Sequence, residues 1–251
     1  MLDLAGRNAL VTGGSRGIGR AVCLLFGRLG ARVAVGYARD EAAAKRAVEE
    51  IEAAGSTAVA LQADLGLDGE PERLVARAED ALGPLHVLVA NHGIWKRAPI
   101  DTMTPAECDE MLRINLTSVR ALCAEAARRM TPRRSGSVVL VASTAGQRGE
   151  PFHSHYAASK GAVIAFTKSL GSEIGSQGVR VNCVAPGWVL TDMSRQAIES
   201  TGGEAIRRAI PRGRPGTPEE IAGPVAFLAS DLASYMHGQV LSVNGGAVMV
   251  E

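Results

Sequence analysis

Seven short, almost wholly apolar runs recur along the chain, at 8–11, 32–35, 58–61, 87–90, 138–141, 179–183 and 240–243. Apolar runs without polar alternation belong to strands covered on both faces. The intervening segments carry ten or more helix-forming residues, enough for the right-handed crossovers that join parallel strands. The pattern therefore predicts an α/β fold, a doubly wound parallel sheet of about seven strands with helices on both faces. No repeat, low-complexity tract or linker interrupts the alternation, so 1–251 reads as a single domain. One interval breaks the rhythm. Between 186 and 218 the apolar periodicity is weak and the chain carries Gly202, Gly203 and the run PRGRPGTP. It reads either as a lid over a binding site or as an ordinary surface excursion.

Charge narrows the function classes. With 27 Lys+Arg against 26 Asp+Glu in 251 residues, the net charge of +1 lacks the basic excess of a general nucleic-acid or acidic-membrane binder. Apolar runs such as 138–142 fall far short of the ~20 residues that span a bilayer. Asp3 and Arg7 interrupt the first residues before a signal-peptide core forms, so a cytoplasmic location is expected. Cys23, Cys108, Cys123 and Cys183 are scattered among apolar neighbours and read as core residues. His153 and His155 form a lone HxH pair, a poor ligand set, and no metal is expected.

The first strand runs directly into TGGSRGIG at 12–19 and then into an apolar helix at 20–29. In such a turn, backbone N–H groups approach a pyrophosphate and the helix N-terminus favours its charge. This context predicts a Rossmann-type dinucleotide site. The second strand leads to Gly36-Tyr37-Ala38-Arg39, with no carboxylate to bond ribose hydroxyls and repel a 2′-phosphate. Arg16 and Arg39 can pair with that dianion, so NADP(H) is favoured over NAD(H), although Arg39 also reads as a merely solvated side chain. Asp40 and Glu41 read as the N-cap and first turn of the next helix.

At the other end, YAASK places Tyr156 and Lys160 four residues apart on one helical face. Val163, Ile164, Thr167 and Leu170 continue near that face, which points Lys160 inward. A phenol with a pKa of about 10 is a poor acid or base at neutrality, and a nearby ammonium and an oxidised nicotinamide are both expected to favour its ionised form. Tyr156 would then exchange a proton with an alcohol oxygen. Ser143 follows the strand at 138–142, where a hydroxyl can donate to a carbonyl oxygen gaining charge; alone it also reads as a turn residue. Asn115 falls within the apolar stripe of a helix expected over 105–130, as a satisfied core amide or a site residue.

The spacing of Gly13, Gly17 and Gly19, the Asn91-His92-Gly93 turn, Asn115, Ser143 and YxxxK together resemble the short-chain dehydrogenase/reductase family over about 5–250. His92 departs from the pattern, which has a small residue there. The resemblance implies a tetrad of Asn115, Ser143, Tyr156 and Lys160, with the Asn holding a water linked to Lys160. It also implies cofactor contacts from Ser15 and Ile18 in the glycine turn, from Asp64 and Leu65, and from Asn91 and Gly93. Asp64 alone reads equally as a turn cap. Pro186, Gly187, Val189 and Thr191 would close over the nicotinamide. A homotetramer is implied, with contacts through helices 105–130 and 155–175 and through the C-terminal strand region.

The segment 214–222 and the VNGG run at 243–246 are most like the 3-oxoacyl-(acyl-carrier-protein) reductases. That likeness implies a thioester substrate and an acyl carrier protein as a partner, which Arg133 and Arg134 could meet, although Gln177 stands where carrier-specific relatives have a basic residue. A small free ketone, cyclic alcohol or sugar is the alternative substrate, with Trp95, His153, His155 and Trp188 lining its pocket. A non-catalytic, nucleotide-sensing module is the third reading.

Overall fold

The computed structural model describes residues 2–200 and 202–249; Thr201, within the expected lid, lies outside them. Its strands are β1 (Asn8–Val11), β2 (Arg32–Tyr37), β3 (Ala58–Gln62), β4 (Val87–Ala90), β5 (Gly136–Val141), β6 (Val179–Pro186) and β7 (Val240–Val243). They form one parallel sheet in the order β3-β2-β1-β4-β5-β6-β7. The first half of the chain winds outward from β1 to one edge, and the second half starts at β4 on the other side of β1. A crevice opens where the winding direction reverses, beyond the C-terminal strand ends.

The helices are α1 (Gly17–Arg28), α2 (Glu41–Ala53), α3 (Glu70–Leu82), α4 (Pro105–Leu112), α5 (Ser118–Met130), α6 (Ala145–Arg148), α7 (Ser154–Ile174), α8 (Asp192–Glu199), α9 (Gly203–Arg208) and α10 (Pro218–Ala229). Alternate strand residues feed two separate cores. Val11, Val35, Val89 and Val139 pack with Phe26 of α1, Ile51 of α2 and Val225 of α10. Leu10, Ala34, Leu88 and Leu140 face Leu74 of α3, Leu122 of α5 and Leu170 of α7. Both faces are therefore dry, which is why the strands show no polar alternation.

The continuous helix expected over 105–130 is broken. A π turn, Arg113–Thr117, separates α4 from α5, and the buried Asn115 lies at its centre. One extra residue in a helical turn redirects side chains without ending the helix, so the apolar stripe reads on across it. The interval 186–218 contains α8 and α9, anchored by buried Ile198 and Ile210. Its two limbs are joined at the base, where Gly216 N–H donates to Trp188 O and Leu190 N–H to Gly216 O, each at 2.9 Å.

Candidate active site

One cleft of about 610 Å³ runs along the strand ends, from the glycine turn to Tyr156. At its first end Gly13 has φ +64°, and a Cβ there would stand 3.2 Å from the His92 backbone. The turn thus has to be glycine to fold against the loop after β4. Gly19 lies behind the lining; a Cβ on it would stand 2.1 Å from Gly13 O, so it sets how closely α1 approaches the turn. Asn91 fixes the turn from below, its amide Nδ2 donating to Thr12 O at 3.0 Å and Gly13 O at 3.3 Å. The N-cap of α1, Arg16, has extended backbone and no side-chain cap, and no acid stands in the first helical turn. Ser15, Arg16, Gly17 and Ile18 line the cleft there, and the uncapped N–H groups of a first helical turn are a donor set that fits a pyrophosphate.

Tyr37, Arg39, Asp64, Leu65 and Gly93 also line the cleft. Arg16 and Arg39 are exposed, and neither forms an ion pair among the described residues. The carboxylates near Arg39 are committed elsewhere: Asp40 accepts from Ala43 N–H at 2.9 Å and Glu41 pairs with Lys45 at 2.8 Å. Both read as expected, as cap and first turn. Asp64 accepts from Gly66 N–H at 3.0 Å while still facing the cleft, so it serves as a turn cap in the expected place.

At the second end, Ser143, Tyr156 and Lys160 line the wall just beyond β5. The Ser143 hydroxyl accepts from Ala145 N–H at 3.1 Å and stands close enough to the Tyr156 phenol to oppose the rise of its pKa. Lys160 Nζ donates to Val141 O at 2.9 Å and lies 6.0 Å from the centre of the Tyr156 ring. A Cβ on Gly93 would stand 3.1 Å from Asn115 Oδ1 and 3.5 Å from Lys160 Nζ, so both side chains converge on that glycine. Asn115 clamps the next residue, accepting from Ile94 N–H at 2.8 Å and donating to Ile94 O at 2.9 Å.

The electrostatics correct one expectation. Burial pushes the Tyr156 phenol up to about 12, with Glu150 adding to the rise and Ser143 opposing it. Burial also pulls Lys160 down to about 8. In the protein alone the ammonium is spent on the Val141 carbonyl, and the phenol is not acidified. Desolvation outweighs the attraction of a charge that sits beyond hydrogen-bond reach.

The substrate wall is partly as expected. Trp95 and Trp188 line it, with ring centroids 5.9 Å apart at 89°. His153 and His155 do not. His153 is buried and stacks behind Trp95 at 4.5 Å, and His155 is buried with neither ring nitrogen bonded. Two residues apart at the start of α7, both turn into the protein. Lys96, Glu110, Arg148 and Glu150 complete the wall. Sequence reading missed them; the only signal, and for Arg148 and Glu150 alone, was the polar GQRGE stretch between Ser143 and Tyr156. Pro186, Gly187, Val189 and Thr191 close the cleft opposite, and a Cβ on Gly17 would touch the Thr191 methyl at 3.3 Å. Arg133 and Arg134 are committed internally, Arg133 to Glu79 at 3.1 Å and Leu85 O at 2.7 Å, Arg134 to Ser176 O at 2.9 Å. No group of His, Cys, Asp or Glu among the described residues could hold a metal ion, and none of their helices is long and apolar enough to cross a membrane.

A family model described as enoyl-(acyl carrier protein) reductase matches residues 13–248. The chain belongs to the short-chain dehydrogenase/reductase family. Within this oxidoreductase family it is 40% identical over 251 residues to a 3-oxoacyl-(acyl-carrier-protein) reductase of Synechocystis sp., covering 99% of this chain and all of that one. A solved 3-oxoacyl (acyl-carrier-protein) reductase from Agrobacterium tumefaciens C58 with NADP bound is 34% identical, with a TM-score of 0.92 over 98% of this chain and 95% of that chain. A Beutenbergia cavernae structure, described as a candidate NAD(P)-dependent gluconate 5-dehydrogenase with NADP at low occupancy, is 38% identical, with a TM-score of 0.93 and 98% of both chains covered.

Proposed function

We propose that this short-chain dehydrogenase/reductase is an NADP(H)-dependent reductase of a 3-oxoacyl thioester, carried on coenzyme A or an acyl carrier protein. The observation that carries this reading is one continuous cleft, with an anion-binding glycine turn at one end and the Ser143–Tyr156–Lys160 group at the other. When bound, NADP(H) supplies the hydride. Ser143 orients the carbonyl oxygen and donates to it as negative charge grows there. The Tyr156 phenol gives that oxygen its proton. A phenol raised to about 12 keeps that proton until the oxygen becomes strongly basic, which suits reduction. Lys160 supplies positive charge behind the phenol and Asn115 holds the Ile94 backbone beside it. Arg16 and Arg39, exposed at the cleft beside Tyr37, would hold the 2′-phosphate.

The segment 186–218 acts as a lid in this reading, hinged where Trp188, Leu190 and Gly216 meet. A homotetramer is part of the same reading: β7 is an edge strand whose Val240, Leu241 and Val243 stay only half-buried. Three of four cysteines are buried free thiols, which suits the cytoplasm.

A second substrate class, a small hydroxylated ketone or sugar, draws support from the polar wall of Lys96, Arg148 and Glu150 beside two tryptophans. The test is a substrate panel followed by NADPH absorbance and repeated with NADH. Turnover of acyl thioesters above simple ketones supports the main reading; exclusive turnover of unacylated ketones overturns it, and a strong NADH preference overturns the arginine assignment. Light scattering checks the tetramer.

A further inference from the structure

His92 sits where the loop after β4 meets β1 and the π turn, and both of its ring nitrogens are engaged. Nδ1 lies 2.8 Å from the Thr12 hydroxyl and Nε2 lies 2.7 Å from the Ser118 hydroxyl. The neighbours fix which nitrogen carries the proton. Ser118 donates its own hydrogen to Ile114 O at 2.6 Å, so its oxygen accepts from Nε2–H. The Thr12 oxygen accepts from Asn91 N–H at 3.0 Å and His92 N–H at 3.3 Å, and its hydrogen goes to Nδ1, since the other acceptor, Val89 O, is 3.4 Å away. Burial, with the Lys160 charge nearby, holds the imidazole down to about 3, so it stays neutral throughout the working range.

The donations run in one direction, from Thr12 at the end of β1 through His92 and Ser118 to the carbonyl of Ile114. Ile114 and Asn115 are consecutive residues of the π turn. A π turn disturbs the regular pairing of helical carbonyls, and the Ser118 hydroxyl gives Ile114 O a fixed partner. The loop after β4 is thus tied to the π turn twice, by His92 through Ser118, the first residue of α5, to Ile114 and by Ile94 to Asn115. Between the ties lies Gly93, where an added Cβ would meet both Asn115 Oδ1 and Lys160 Nζ.

We propose that His92 is a positioning residue, fixing the π turn to the end of β1 so that Gly93, Asn115 and Lys160 keep one relative placement. The inference rests on the assignment of Asn115 and Lys160 to the reaction, so its test carries a readout independent of turnover. Gln can reach the place of Nε2 and donate to Ser118; Asn reaches only as far as Nδ1 and can accept from Thr12. We therefore compare His92→Ala, His92→Gln, His92→Asn and Ser118→Ala. Hydrogen exchange of the Ile94 amide is read in cofactor-free protein, and kcat, KM and NADPH affinity in the loaded enzyme. Exchange at Ile94 should quicken about tenfold in His92→Ala, His92→Asn and Ser118→Ala, and kcat should fall about tenfold with KM and NADPH affinity within twofold. His92→Gln should restore both.

A general loss of packing would instead quicken exchange across all strands and leave Gln and Asn alike. That result overturns the proposal, as does Ile94 exchange within twofold of the parent in His92→Ala and Ser118→Ala. If His92→Ala fails to fold, the Gln, Asn and Ser118→Ala proteins decide in the same way. Absence of any carbonyl turnover by the parent would refute the proposed function and leave the exchange result to judge His92.

Discussion

The two ends of the cleft are built differently. The pyrophosphate turn at the cofactor end comes from one contiguous stretch, β1 through the glycine turn to α1, and its geometry is dictated by backbone, as Gly13 and Gly19 show. The substrate end is a mosaic of side chains from the loop after β4, the stretch between β5 and α7, and the base of the lid. A backbone-built site tolerates few changes and announces itself in sequence, whereas a mosaic can be re-lined residue by residue.

Tyr156 stands at the junction, and its loss should separate the two ends most sharply. Tyr156→Phe is expected to lower kcat by about 10²–10⁴ while NADPH affinity, measured by fluorescence titration, stays within twofold. The glycine turn comes next. A Cβ 2.1 Å from Gly13 O forces α1 away, so Gly19→Ala should weaken NADPH binding by about 10- to 100-fold, the equivalent of about 1–3 kcal/mol of overpacking, with near-native circular dichroism. Replacing Arg16 and Arg39 by Ala should raise KM for NADPH about tenfold and leave KM for NADH unchanged. Trp188→Ala should shift the substrate KM severalfold, by roughly a factor of five, with NADPH KM constant. A matching change in cofactor KM would show that the ends are not separable.

The smallest effect is on stability. Lys160 is depressed to about 8 from 10.5, so between those values the unfolded chain holds more protons and stability rises with pH. Tyr156, raised to about 12 from 10.0, acts oppositely, its contribution being present below pH 10 and lost toward pH 12. The melting temperature of cofactor-free Lys160→Met should therefore lack the rise that the parent shows from pH 8 to pH 10.

Much of this contrast was legible from sequence. The bounds of β1, β4 and β7 were read to the residue, because each run ends at a polar or glycine break. β2 and β6 extend further, through Gly36-Tyr37 and to Pro186, since pairing with β3 in the first case and β7 in the second keeps residues extended that sequence reads as breakers. Asn115 stood out by its polarity within an apolar stripe. The π turn beneath it did not, because a single added residue barely shifts a 3.6-residue pattern. The substrate wall was legible only in its tryptophans. Glu150 and Arg148 lie far in sequence from Lys96 and Trp188, and no local spacing joins them. The ammonium's share in acidifying the phenol was not legible either: helical spacing places Lys160 near Tyr156, while the Val141 carbonyl decides where the ammonium points in the cofactor-free protein.

Because the winding reverses beside it, β1 becomes an interior strand of the finished sheet although it is translated before both of its neighbours. It can pair with β2 early, but its other edge stays bare until Val87–Ala90 has emerged from the ribosome. For that long the nascent protein carries an apolar ribbon with an open flank, a ready template for mispairing. Trimming the chain before β2 would remove the seam between the two halves, whereas losing β7 would strip one strand from a border.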